Sequence, residues 1–280
     1  MSLWSRDEHR IVLYRDQVVL VSVRREFTRR GVKRQVLDKR ILPCNTAAGE
    51  MPWDDALGAL EIALSNGAYR KSHATAVIAN QLARYTLIPW NEALSDDREE
   101  MLFARHSFRE MYGSDTDAWE LRINRGSAGM AQIACAVDAR LLGALRELFG
   151  RLQIGLQSIQ PHLMTAYNSC RALLRGRSAW LVLAERGNLC LALLQQGQWS
   201  WVRTIRAEEN WRESLPFFLE REAFLANTGL ATDEVFLWAP DCPEEALPSG
   251  SRWQFQYLQP PPVPGLAPES DRQFAMYLNG

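Results

Sequence analysis

The sequence predicts an α/β protein made of two related halves, each running strand–strand–strand–helix–strand. A smaller strand–helix–strand–strand–helix–strand unit lies between them. Three observations predict this. Short runs rich in β-branched residues, parted by tight turns, open both halves. One apolar-striped helix follows each trio of strands. The same order returns roughly 170 positions downstream, as a repeat of pattern and not of residue identity.

In the first half, Ile11 to Tyr14 reads as a strand, Arg15-Asp16 as a turn and Val18 to Val23 as a second strand. After a basic stretch, Gln35 to Leu42 reads as a third, closed by Pro43. Trp53, Leu57, Leu60 and Leu64 recur at helical spacing, so 53–65 is an amphipathic helix ended by Asn66-Gly67. Ala76 to Ala79 is a short buried strand. In the middle unit a strand ends at Leu87-Ile88. A helix spans 97–112, with acids at its start and Met101, Ala104, Phe108 and Met111 on one face. Strands follow at Trp119 to Ile123 and Ile133 to Val137. Asp138 caps a helix striped by Leu141, Leu142, Leu145, Leu148 and Phe149. Ile154 to Ile159 is a strand, and Pro161 opens a helix over 161–174.

The second half repeats the plan. Trp180 to Ala184, Leu189 to Leu194 and Trp199 to Ile205 are strands, with turns at Arg186-Gly187 and Gln196-Gly197-Gln198. A helix lies within 210–227; Pro216 either sets its start near Ser214 or bends it. Thr228-Gly229 ends it, and Val235 to Trp238 is a buried strand. Trp253 to Leu258 reads as a last strand. Pro260 to Gly265 reads as a stiff linker, and 270–278 as a short terminal helix.

Composition narrows the function classes. A hydrophobic fraction of 47% over 280 residues supports one large or two smaller cores. The net charge of −1 argues against wholesale nucleic-acid binding. Five cysteines, none spaced C-x-x-C, read as small buried residues of a reducing compartment. The ten tryptophans read as core anchors. The first eight residues are too polar for a signal peptide, and no apolar run approaches the ~18 residues of a membrane span. The expectation is a cytoplasmic protein, with peripheral association at the inner membrane left open.

The chain has no Walker-type phosphate loop, no G-x-G-x-x-G, no H-E-x-x-H and no G-x-S-x-G elbow. His9, His73, His106 and His162 are scattered, and the acids at 96–100 and 208–213 sit at helix starts, where the dipole accounts for them. No catalytic residue and no metal site is assigned.

Two β-β-β-α-β halves with an inserted β-α-β-β-α-β subdomain resemble the actin-like ATPase fold, with its duplicated ribonuclease H-like halves. Within that fold the arrangement looks most like the branch of the cell-division protein FtsA, the pilus assembly protein PilM and the cytoplasmic part of the secretion protein GspL. The stretch from Ala104-Arg105-His106-Ser107-Phe108-Arg109 through Leu163-Met164-Thr165-Ala166-Tyr167-Asn168 is similar to the middle region of PilM and GspL. On this resemblance, residues 1–81 are the first actin-like half and 82–160 the inserted subdomain. Residues 161–280 are the second half, with a Pro-rich C-terminal tail.

Active members of the family place D-x-G in the first hairpin of each half, the acid for the metal and the glycine for the phosphates. Here the first hairpin reads Leu13-Tyr14-Arg15-Asp16-Gln17: Tyr14 stands at the acid's place, no glycine follows, and Asp16 reads as turn chemistry. The second, Glu185-Arg186-Gly187-Asn188, keeps half the motif as E-x-G. The adenosine-side turn, expected to carry a glycine pair, reads Trp238-Ala239-Pro240.

These departures make the first expectation a non-enzymatic scaffold of a type IV pilus or type II secretion machine, with no cofactor. Its implied partner is an inner-membrane assembly protein with a short cytoplasmic segment. In PilM the groove between first lobe and inserted subdomain takes such a peptide. The comparable surface lies along the 76–90 strands and the 97–112 helix, with Pro89, Trp90, Phe103 and Tyr112 as contacts; the plain alternative is that all four are core. The second expectation is an ATP- and magnesium-binding member with Asp16, Glu185 and Gly187 near the phosphates. The third is an enzyme of unnamed chemistry in the inter-lobe cleft. Separately, the basic run at 24–40 reads as a solvated hairpin loop. The alternative is contact between Arg29, Arg30, Lys33 and Arg34 and anionic lipid head groups.

Overall fold

The computed structural model describes residues 5–28, 31–44, 50–94, 96–124, 126, 128–227, 232–242, 251–260, 262–267 and 270–278. Its contacts divide the chain into two compact units. Unit 1 comprises Met1–Leu82, Asp138–Ser169 and Gln259–Gly280; unit 2 comprises Ala83–Val137 and Cys170–Leu258.

Unit 1 is built on a five-stranded sheet: β1 (Ser5–Leu13), β2 (Gln17–Thr28), β3 (Gly31–Pro43), β4 (His73–Ile78) and β8 (Gly155–Pro161), in the order β3-β2-β1-β4-β8. The first three strands pair antiparallel; β1 with β4, and β4 with β8, pair parallel. Its helices are α1 (Asp54–Leu64), α3 (Ala139–Arg151) and the start of α4 (His162–Leu174). The α3 stripe is buried at all five positions read from the sequence, and Asp138 accepts a 2.8 Å bond from the Arg140 N–H as its cap.

Unit 2 repeats the plan. Strands β9 (Ala179–Glu185), β10 (Asn188–Gln195), β11 (Gln198–Arg206), β12 (Glu234–Trp238) and β13 (Gln254–Tyr257) form a sheet ordered β11-β10-β9-β12-β13. Its pairings match those of unit 1, antiparallel through the first three strands and parallel from β9 to β12 to β13. The duplicated α/β topology expected from the sequence is therefore present. Trp180 and Trp238 are fully buried in this sheet. Helix α5 (Trp211–Ala226) packs Leu215 and Leu219 on it, with Pro216 inside the helix and Asn227 as a left-handed cap. Thr228 and Gly229 lie outside the described residues. Unit 2 also carries a three-stranded sheet, β5 (Ala83–Ile88), β7 (Gln132–Asp138) and β6 (Trp119–Asn124), in the order β5-β7-β6. Helix α2 (Asp97–Tyr112) covers it through Ala104 and Phe108, and starts where the Asp96 carboxylate accepts from the N–H groups of Arg98 and Glu99.

Three features depart from the sequence reading. The basic run is not a loop, since β2 continues to Thr28 and β3 begins at Gly31. Cross-strand ion pairs hold it there: Arg24 with Asp7 and Arg25 with Glu8, the latter also joined to Arg10 at 2.7 Å. The sequence division at 81 and 160 groups α3 and β8 with the inserted subdomain. The contacts group Asp138–Ser169 with unit 1, because β8 hydrogen-bonds along β4. Third, the proline-rich tail, read as a linker on the second half, groups with unit 1. Val36 donates its N–H to the Pro264 carbonyl, and Gly265 (φ 94°) passes so close that a Cβ would lie 3.3 Å from that of Val36. A terminal segment, α6 (Arg272–Ala275) followed by a 3-10 turn, buries Phe274, Met276, Tyr277 and Leu278.

The five cysteines are free thiols. Burial pushes Cys135 and Cys170 up to about 12, and raises Cys190 as well, so these three are inert small residues at neutral pH.

Candidate functional site

The hairpin joining β1 to β2 closes with Tyr14 donating its N–H to the Gln17 carbonyl at 3.0 Å. The Asp16 carbonyl is bonded by the Cys44 N–H at 2.8 Å, which fixes the turn. Tyr14 does not point a free phenol at solvent. It is buried, and its hydroxyl shares a 2.7 Å hydrogen bond with the hydroxyl of Tyr277, 263 positions later. Tyr277 also reaches Nε2 of the fully buried His162, at 3.2 Å. The Tyr14 and His162 rings meet edge to face, 6.3 Å between centroids. His162 opens α4, and its neighbour Leu163 donates its N–H to the buried Asn80 side chain at 3.1 Å. The terminal segment is anchored at three more points. Ser169 donates to the Met276 carbonyl, Arg34 to the Leu278 carbonyl, and Lys39 pairs with Asp271.

The equivalent hairpin of unit 2 differs. Glu185 and Asn188 pair across a two-residue turn, and Gly187 sits there at φ 74° with open space where a Cβ would stand. Glu185 is buried and Gly187 exposed. Its carbonyl accepts from the Ala207 N–H at 3.0 Å. The turn after β12 has Ala239 buried, its carbonyl accepting from the Cys242 N–H. A magnesium nucleotide needs an acid and a close-approach glycine in the first turn. That turn holds the buried Tyr14 phenol, already bonded to Tyr277, together with Asp16, and it has no glycine.

No family model matches the chain, and no curated protein matches its sequence. Solved structures do. The chain is similar to the cytoplasmic domain of EpsL, an inner-membrane component of the type II secretion system of Vibrio cholerae (TM-score 0.55, 10% identity, covering 91% of this chain and 90% of that one). It is similar to a chain of the PilM–PilN type IV pilus biogenesis complex (TM-score 0.57, 12% identity, 81% and 79%). A third likeness is to a Bacteroides thetaiotaomicron protein of unknown function with an actin-like ATPase fold (TM-score 0.54, 14% identity, 83% and 81%). This chain has the actin-like fold.

Within that fold, the four residues read as partner contacts differ in what they touch, and Tyr112 is 36% exposed although its ring packs on neighbours. Pro89 and Trp90 follow β5 and are exposed. Phe103 packs against the core of the three-stranded sheet. Tyr112 stacks on Phe108 at 5.9 Å, meets Trp119 at 5.5 Å and donates its hydroxyl to the Tyr85 carbonyl at 3.2 Å. Burial raises its phenol pKa. Of the basic residues read as lipid contacts, Arg29 and Arg30 lie outside the described residues, as does the Lys33 side chain. Arg34 is part-buried and turned to the terminal segment.

Sequence reasoning singled out Tyr14 as a departure from the actin-like pattern, but missed its partners. His162 was passed over as a lone histidine. Its place directly after Pro161, at the junction of a strand and a helix, was the available signal. Tyr277 had only a weak one, the apolar run Phe274-Ala275-Met276-Tyr277-Leu278 in an otherwise polar tail.

Proposed function

We propose that this chain is a non-enzymatic scaffold of a type II secretion or type IV pilus assembly machine, docking a cytoplasmic segment of an inner-membrane partner. Two of the solved structures sharing its fold belong to such machines, and one is a complex with a second assembly protein. The observation that carries the reading is Tyr14. The position where an actin-like ATPase needs a metal-holding acid is filled by a buried aromatic bonded to Tyr277. A protein that keeps this fold while closing that turn retains surfaces, not hydrolysis, as its working parts.

The docking surface is assigned to the exposed Pro89-Trp90 edge after β5, backed by α2. A tryptophan left 42% exposed beside a proline suits an anchor for an apolar peptide segment. The test is capture of inner-membrane proteins on the immobilised chain, wild type against Trp90→Ala. Recovery of one membrane assembly protein by the wild type, lost in the variant, supports the proposal. Recovery of none, or equal recovery by both, overturns it.

One observation favours a second reading, nucleotide binding without hydrolysis: the open, positive-φ turn at Gly187 beside the buried Glu185. A thermal shift with nucleotide separates the two readings.

A further inference from the structure

At the end of the unit 1 sheet away from Tyr14, the start of β1, the far part of β2 and the loop before β4 enclose an open pocket of about 480 Å³. Asp7, Arg24, Arg70, Lys71, Ser72 and His73 line it. Asp7 is neutralised by a two-pronged bond from Arg24, at 2.9 and 3.2 Å. With Arg24 and Asp7 cancelling each other, the charge left to act on a ligand is that of Arg70 and Lys71. Lys71 has no carboxylate partner among the described residues.

The backbone here is spent. The N–H groups of Arg70, Lys71 and Ser72 are bonded to the carbonyls of Gly67, Gln153 and Tyr69, and the Ser72 hydroxyl also donates to Tyr69. Recognition at this place therefore falls to cationic side chains, which selects an anion. The Arg70 guanidinium and the backbone that carries Lys71 are held for it. Lys71 (φ 62°) and Gln153 (φ 57°) are both non-glycine residues in the left-handed region, a conformation such residues adopt only when their surroundings impose it. They clasp each other: the Lys71 N–H bonds the Gln153 carbonyl at 2.9 Å, while the Gln153 side-chain oxygen accepts from the Arg70 guanidinium at 2.7 Å. Arg70 is thereby tethered at one nitrogen with others left to donate. The loop is anchored by the buried Tyr69, which is bonded by Arg40 and lies edge-on to His9 at 4.8 Å.

We propose that this pocket binds a phosphate group, through the Arg70 guanidinium and Lys71 ammonium beside the His73 imidazole. A planar guanidinium fork with an adjacent ammonium suits the several oxygens of a phosphate better than a single carboxylate. The phosphate has two sources, a phospholipid head group or a soluble phosphate compound, and the experiment separates them.

The full chain is titrated with inorganic phosphate, following its amide and imidazole NMR signals, and in parallel is co-sedimented with vesicles of phosphatidylcholine alone or mixed with phosphatidylglycerol. Both are repeated with R70A/K71A and with the charge-matched control R98A/R171A, whose arginines are exposed elsewhere. Saturable phosphate shifts centred on residues 68–73, weakened at least about tenfold in R70A/K71A but not in the control, establish the site. Pelleting only with phosphatidylglycerol, lost in the same variant, assigns the lipid as source. Phosphate binding without pelleting assigns a soluble compound. Neither binding, or equal loss in both double variants, overturns the proposal. Retained amide dispersion in R70A/K71A separates loss of the site from loss of the fold.

Discussion

Removing one hydroxyl from Tyr277 tests how firmly the terminal segment closes the first hairpin. Tyr277→Phe withdraws a partner from the Tyr14 hydroxyl at 2.7 Å and from His162 Nε2 at 3.2 Å, all three residues being buried. Depriving a buried polar group of a partner costs about 1–3 kcal/mol, so losing two contacts should cost about 2–4 kcal/mol. Tyr14→Phe removes one contact and should cost about 1–2 kcal/mol. The double variant removes both ends of the 2.7 Å bond, so its loss should fall short of the sum by about 1 kcal/mol. Native-state hydrogen exchange of the β1 and β4 amides is the suitable assay, because it reports the opening of unit 1 alone. If the two effects add to within about 0.5 kcal/mol, the hydroxyls do not interact and the account of a sealed turn fails.

Other outcomes follow from the same structure. Burial lowers the pKa of His9 against the opposing pull of Asp7, Glu8 and Asp38, so the folded state holds this ring neutral where an unfolded chain protonates it. Its contribution is complete above about pH 6.5 and is lost as pH falls through that value toward the folded pKa; urea midpoints at pH 7.5 and 5.5 should show a decline that His9→Gln flattens. Asp271 sits below the usual carboxylate range despite burial, because Lys39 and the Ala267 N–H bond it. Asp271→Asn should cost about 1.5–3 kcal/mol and speed exchange in 271–278. Phe108→Ala, emptying the core under α2, should cost about 3–5 kcal/mol, whereas the exposed Trp90→Ala should change stability by less than about 0.5 kcal/mol. Denaturant titration distinguishes the two.

Much of the architecture was legible because it is written locally. Helix α2 was read at its observed bounds from Asp96, the acids after it and the Phe108 face. The second strand trio was legible from its turns, where Gly187 and Gly197 take positive φ. Long-range pairing was not. Nothing in Ile154 to Ile159 says that it runs parallel to β4, because parallel neighbours leave no adjoining turn to mark them. The basic stretch misled because lone arginines disfavour a strand reading. Their partners Asp7 and Glu8 lie on another strand and become visible only once β1 and β2 pair. In the site, the substitution at Tyr14 was legible and its meaning was not, since Tyr277 follows a proline-rich segment that reads as a spacer. Of the four aromatic-edge residues, composition could not separate Phe103, which packs on the core, from the exposed Pro89, Trp90 and Tyr112, the last of which stacks its ring on Phe108.

The most direct measurement is the melting temperature of the chain in millimolar Mg-ATP against buffer. Nucleotide present at a hundred times its Kd would add about 2.7 kcal/mol, raising the midpoint by roughly 5–10 °C. With Tyr14 sealed by Tyr277, the predicted shift is none. A saturable rise that Gly187→Val or Glu185→Gln abolishes would contradict the account and restore this chain to the nucleotide-binding members of its fold.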